Sequence, residues 1–392
     1  MSMTINRSIL AIVLAALLFS PATVAHASEE AATDTRKAPE MPREVDGVSL
    51  PMEASGDDSI ELAKKLLPRS FKRNRSSSHV MFTDSDWEAI SQARTVLQRA
   101  WSEYRGFCRR VGIVVPRPDE KLVCIIFNEH HDFLEFAKKT EGEHAILEHA
   151  SGYFSPRFDW ICFFEPEHHD SADEAHGHLD EQQGVLDQEQ RNTRLDTLDA
   201  ATAERIKRNW TWRQKQIDTA RSNMAQWSEN RRTMITIHEA VHQFTHVCHT
   251  WPGKKLWPIW LHEGLATSFE TIDAKSGFGP DQLCESQDLE FLNCLDQDRL
   301  IPLRDFIAFP HYGDQTPETL EVLYAQAYGL MTWLYEFRKP QLAQFLKRLA
   351  APPAEDGEAD PVVLFEEIFG DIERLEKRWY SLESGDWRAK QR

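Results

Sequence analysis

The chain has 392 residues, of which 41% are hydrophobic and 28% charged, with 45 basic against 63 acidic residues and a formal net charge of −18. This is ordinary globular composition, with chain enough for two or three domains and a sizeable core, so neither a metal nor a disulfide is needed merely to fold. The acidic balance argues against nucleic acid or an anionic membrane as the main partner, because a phosphate binder needs a basic surface.

Residues 1–27 read as a secretory signal peptide. Arg7 supplies a short positive region, residues 8–19 form an apolar run too short to span a bilayer comfortably, Pro21 breaks it, and Ala25-His26-Ala27 is an A-x-A cleavage site. The mature protein is therefore expected to be secreted, periplasmic or extracellular. No other stretch is apolar for long enough to give stable membrane insertion. Secretion permits disulfides among the six cysteines, all of which follow the leader. Cys284 and Cys294 are near enough in sequence to close a small loop, and buried free thiols are the equal alternative.

Residues 28–78 show little periodicity and read as a mostly disordered leader or linker, with one short helix over residues 59–67. Residues 79–167 read as an α/β subdomain. A strand over residues 79–83 leads to Asp84 or Ser85 as helix cap, and Trp87, Ile90, Ala93, Leu97, Ala100, Trp101 and Tyr104 follow at helical spacing. A buried strand at 122–127, a helix at 132–139 and a hairpin of 152–154 with 158–164 complete it. Residues 168–230 read as an acidic helical insertion. Its first tract holds His168, His169, His176 and His178 in what reads as a solvated loop. A charged, proline-free stretch follows, with Leu195, Ile206, Trp210, Ile217, Ala220, Met224 and Trp227 at partial helical spacing, which predicts one or two long amphipathic helices in a projecting arm. Residues 231–383 are helix-rich, with a break near Gly370-Asp371, and 384–392 are a tail. The fold class is α+β: a small α/β subdomain with a hairpin edge, then a helix-rich subdomain carrying the chemistry, with a long helical insertion between them.

The chemistry centres on His238-Glu239-Ala240-Val241-His242, an H-E-x-x-H motif in a helix-compatible segment. Residues four apart share a helical face, so His238 and His242 can aim both imidazoles at one ion, and neutral imidazole suits zinc. Glu239 stands beside the first ligand, where a carboxylate can act as general base toward a metal-bound water. After Pro252, Gly253 and Pro258, which supply a reversal, Trp260-Leu261-His262-Glu263-Gly264-Leu265-Ala266 offers Glu263 as third ligand. Two His and one Glu leave a position open, the mark of a catalytic zinc rather than a structural one, and the expectation is one Zn2+ per chain. The rival metzincin pattern needs Gly at 245 and His at 248, where the chain has Thr245 and Cys248. His246 then reads as a polar residue on the back of the helix.

Several other residues are candidates around the metal. Glu270 falls seven residues after Glu263, on the same helical face, and could accept the free N–H of a ligand imidazole; a solvated glutamate is the alternative. Thr267, four after Glu263, is similar. His311 sits in a Pro/Gly loop where it could donate to an oxyanion or simply face solvent. Tyr324 and Tyr328 lie one turn apart, and spacing does not choose which faces the metal.

H-E-x-x-H followed by W-L-x-E-G-L-A resembles the gluzincin (peptidase MA-like) zinc peptidases, thermolysin-like and M1-type enzymes among them. In more detail the chain is similar to a family of predicted secreted bacterial gluzincins. The resemblance covers roughly residues 79–383 and rests on residues 238–242, 260–270 and 324–334. It implies a thermolysin-like zinc subdomain, Tyr324 as the residue that stabilises the oxyanion, and an edge strand that docks extended peptide, placed at 158–164. There are departures. The G-x-M-E-N segment of M1 aminopeptidases is absent, so aminopeptidase specificity is not implied; His262 stands where relatives often have Asn; residues 168–230 have no counterpart in the minimal fold. The expected function is a secreted zinc metallopeptidase, by default an endopeptidase, acting on a peptide or protein substrate. The alternative is a zinc-containing envelope binding or scaffold protein with little turnover, a reading that Glu239 weakens because a structural site needs no acid there.

Overall fold

A computed structural model describes residues 43–142, 150–248, 258–309, 315–349 and 360–383. The expected signal peptide and C-terminal tail lie outside the described residues. Strand β5 (Leu122–Phe127, LVCIIF) is buried at every position, so apolar layers must cover both of its faces. It lies at the middle of a five-stranded sheet of order β3-β4-β5-β7-β6, built from β3 (Lys72–Arg75), β4 (His79–Thr83), β5, β6 (Gly152–Ser155) and β7 (Trp160–Phe164). β4, β5 and β7 run parallel; β3 and β6 pair antiparallel at the two edges. Met81, Cys124, Ile126, Ile161 and Phe163 point into one core, and Val80, Val123, Ile125, Trp160 and Cys162 into a second core on the other face.

Over residues 43–78 that second core corrects the reading of a mostly disordered leader or linker. From residue 43 the chain is folded: a two-stranded ribbon of β1 (Glu44–Val45) and β2 (Val48–Ser49), helix α1 (Gly56–Leu66), and then β3. Ile60, Leu62 and Ala63 of α1 cover the second face together with α3 (His130–Glu141). Sparse apolar residues suffice here, because the sheet supplies the other half of the packing. Between β4 and β5 runs α2 (Trp87–Arg110). Its cap is Asp86, which accepts from the Ala89 N–H at 2.9 Å; Asp84 instead accepts from the Asn128 N–H at 2.8 Å, tying the ends of β4 and β5 together.

The insertion is an antiparallel pair of helices, α4 (Asp170–Asn192) and α5 (Ala200–Val247), joined through Ala175, Leu179, Ala220 and Met224. The tract read as a solvated histidine loop is mostly the first turns of α4. His169 caps it, accepting from the Ser171 N–H at 3.2 Å, and stacks on His130 at 5.5 Å. The boundary read at 230/231 falls inside a helix. α5 is one helix of 48 residues that runs from the arm through the H-E-x-x-H segment, since it contains no proline or glycine to break it. Among the described residues no helix is long and apolar enough to cross a membrane.

The helical lobe continues with α6 (Ile259–Thr267), α7 (Glu285–Asp296), α8 (Leu303–Ile307), α9 (Pro317–Phe337), α10 (Lys339–Leu349), α11 (Pro361–Phe369) and α12 (Ile372–Glu383). α6 packs along α9 at a separation that only glycine permits: a Cβ at Gly264 would lie 2.5 Å from the Ala327 carbonyl oxygen. All six cysteines are buried free thiols. The suggested Cys284–Cys294 loop does not form, because the two residues bracket most of one helix, α7, and ten residues of helix span about 15 Å.

Candidate metal centre

From Met234 to Thr245 every residue of α5 is buried. Helical periodicity puts His238 and His242 on the face toward α6, while Ile237, Val241 and Phe244 enter the core. Gln243 fixes the helix to the sheet. Its amide donates to the carbonyls of Val123 (3.0 Å) and Asp159 (2.7 Å), and its oxygen meets His79 Nε2 at 3.2 Å. Arg231 donates to Ser151 Oγ at 3.1 Å, and Arg232 Nε to Glu165 at 2.6 Å, so α5 also holds both ends of the β6–β7 hairpin.

Three donor atoms converge. His238 Nε2 lies 2.8 Å from His242 Nε2 and 3.1 Å from Glu263 Oε2, and His242 Nε2 lies 3.6 Å from Glu263 Oε1. Ligands about 2.0–2.2 Å from one tetrahedral ion sit roughly 3.3–3.5 Å apart, and the observed separations bracket that range. The residues fit a dication in a second respect. Glu239, Glu263 and Glu270 bring three carboxylates, all buried, to two imidazoles, and buried negative charge is costly without a cation. Burial opposes charge on His238, but Glu263 and Glu270 outweigh it and push the imidazole up to about 10. Burial likewise opposes ionisation of Glu263, yet His242, His238 and His262 hold its carboxyl well below the usual range. A dication at the convergence point would displace the proton these groups retain.

Glu239 differs from its neighbours. Burial raises its carboxyl well above the ordinary value, with Glu263 and Glu270 adding to the effect, and among the described residues neither of its oxygens has a hydrogen-bond partner. Buried polar atoms are nearly always satisfied, so an orphaned carboxylate beside a donor cluster marks a functional position. It faces β6: a Cβ on Gly152 would come within 3.1 Å of Glu239 Oε1 and 2.9 Å of Ile235 Cγ2. The edge strand next to the metal residues is therefore Gly152–Ser155, and the assignment to 158–164 is corrected, since β7 lies inside the sheet between β5 and β6.

Glu270 accepts from His238 Nδ1 at 2.7 Å and from Gln287 Nε2 at 2.6 Å. It does so from outside the helix, because α6 ends at Thr267 and the chain turns tightly through Ser268 and Phe269. Thr267 is not a partner of the ligand carboxylate: its hydroxyl donates to the Glu263 backbone carbonyl at 2.6 Å. The Tyr324 ring lies 6.3 Å from His238. Tyr328 is turned away, its hydroxyl accepting from the Cys284 N–H at 3.2 Å. His311 lies outside the described residues. His246 is not on the back of α5: it lies one turn beyond His242, pairs with Asp159 at 3.3 Å and packs on Phe154 of β6 at 5.3 Å.

Sequence reasoning missed three supports. His262 stacks on His242 with centroids 4.0 Å apart and planes 13° apart, and its Nδ1 meets Glu263 Oε1 at 3.3 Å. Its place beside Glu263 was the available signal. Gln287 and Gln243 carried none, since an amide in a helix is usually solvated.

A family described as Protein of unknown function (DUF1570) matches residues 233–355, a span that takes in His238, Glu239, His242, Glu263, Glu270 and Tyr324. No curated protein matches the chain.

Proposed function

We propose that the chain is a zinc-dependent metallopeptidase that hydrolyses peptide bonds of an extended polypeptide. The observation that carries the reading is the convergence of His238, His242 and Glu263 beside the orphaned carboxylate of Glu239 at the sheet edge. His238, His242 and Glu263 would hold the zinc, which when bound would supply a Lewis acid for the scissile carbonyl and for the attacking water. Glu239 takes the water proton and later passes it to the leaving amine. Tyr324 donates to the oxygen that becomes negative. Glu270, braced by Gln287, keeps the His238 Nδ1 proton in place and so aims Nε2 at the ion. β6 offers its outer edge to a substrate backbone as an added strand. The scaffold alternative would need a fourth protein ligand to close the site, and among the described residues the grouped donors are His238, His242 and Glu263.

The leader reading places the mature protein outside the cytoplasm, and N-terminal sequencing of the processed form checks it. The activity is tested by digesting a peptide library with purified protein, with and without chelator, alongside elemental analysis. Expected are about one zinc per chain and chelator-sensitive cleavage within peptides. Zinc-loaded protein that leaves the library intact would overturn the reading.

A further inference from the structure

The arm carries a feature that net charge conceals. From residue 205 to 217 the chain has five cations, Arg205, Lys207, Arg208, Arg213 and Lys215, and no acidic residue. Lys207 pairs with Glu204, and Arg213 with Glu189 of α4. The other three cations form no ion pair among the described residues. Arg205, Arg208, Trp212 and Lys215 recur at intervals of three and four, so they share one face of α5. All four are exposed, Trp212 to 51%. The face that packs on α4 is a different one, through Gln214, Ile217 and Ala220.

We propose that this face docks the arm, lying flat, on an anionic phospholipid bilayer. Cations around a single exposed tryptophan are the composition of an interfacial helix: the indole settles at headgroup depth and the cations meet phosphates. The four residues make a straight stripe about 15 Å long, which matches a plane better than a nucleic-acid groove. The chain's formal charge of −18 does not forbid contact. At physiological ionic strength the screening length is about 8 Å, and the acids of α4 lie across a helix–helix spacing of about 8–10 Å; on α5 itself Glu204 and Asp218 flank the stripe, Glu204 paired with Lys207 and Asp218 accepting from Gln214. The lobes lie farther away: Trp212 and Glu239 are 27 residues apart on one helix, about 40 Å. This inference does not depend on the proposed peptidase activity.

The test is cosedimentation of the full chain with phosphatidylcholine vesicles, with and without phosphatidylglycerol, at low and physiological salt. The quantity read is the excess binding to the anionic vesicles, so any contribution of the apolar leader common to both cancels. Arg205→Gln/Arg208→Gln/Lys215→Gln should lower that excess by about a hundredfold, since each cation near the surface contributes about fivefold. Trp212→Ala should lower it several-fold at either salt. The matched control Arg374→Gln/Lys377→Gln/Arg378→Gln removes three exposed cations of α12 and should change nothing beyond a few tens of per cent. Equal binding to both vesicles, or an equal loss in the stripe and control variants, would overturn the proposal. So would retention on duplex DNA without binding to vesicles, which would mark the face as a nucleic-acid contact.

Discussion

The two ends of α5 obey the same helical geometry in opposite surroundings. From Met234 to Thr245 the helix is buried all round; from Ala200 to Trp227 only Ile217, Ala220 and Met224 are buried. A helix apolar on every side must lie inside a core, while one with a single apolar stripe needs one neighbour, here α4. At the inner end, polar side chains lose water and must find partners, which is why His238, His242 and Gln243 are all engaged and the orphaned Glu239 stands out. At the outer end polar groups keep their water, so chemistry there is limited to surface contact. One unbroken helix thus spans two surroundings about 40 Å apart, and burial decides which of its polar side chains must be paired.

The comparison is tested hardest at the inner end. Glu239→Gln should keep zinc yet lower turnover by about 10²–10⁴, whereas His242→Ala should lose the metal itself. Peptide hydrolysis beside elemental analysis checks both, and wild-type turnover in Glu239→Gln would remove the catalytic role. Next comes stability. Phe244→Ala should cost about 3–5 kcal/mol in denaturant unfolding. Met224→Ala should leave that transition where it is and speed amide exchange in the arm alone; equal shifts of the transition would show that the two ends unfold as one unit.

A pair of tyrosines sharpens the picture further. Tyr324→Phe should lower kcat by about 10²–10³ with little change in KM. Tyr328→Phe should leave kcat alone and cost about 1 kcal/mol of stability, through its lost bonds to the Cys284 backbone. The reverse pattern would put the oxyanion donor one turn further along α9.

A further effect concerns pH. Burial is the main cause that lowers His79 from 6.5 to about 4. The native state therefore binds fewer protons than the unfolded state between those values, and stability rises with pH across that window. The contribution of His79 is complete above pH 6.5 and falls away as pH drops toward 4, by about 3 kcal/mol in all. Denaturant midpoints of wild type and His79→Gln, compared from pH 7 down to 4, should converge as pH falls.

The features legible in the sequence are those set by neighbours along the chain. The 3.6-residue period alone puts His238 and His242 on one face, and the same rule separates Tyr324 from Tyr328 by one turn. Uninterrupted apolar runs mark β5 and β7 as buried strands. The absence of proline and glycine from residue 200 to 247 carries the information that α5 is continuous, although a shift in composition near residue 230 suggests a boundary. Other features depend on which surfaces meet. β6 and β7 have similar local patterns, and only pairing with β5 decides which of them is the edge beside Glu239. Seven-residue spacing from Glu263 nominates Glu270, yet it reaches His238 from the turn that follows Thr267 and not from the helix itself. Residues 43–75 fold because the sheet has a second apolar face to cover, and that face exists only once β4, β5 and β7 have assembled. Backbone periodicity acts over four or five residues and is written locally, whereas the burial that orphans Glu239 and desolvates His79 arises when segments distant in sequence exclude water between them.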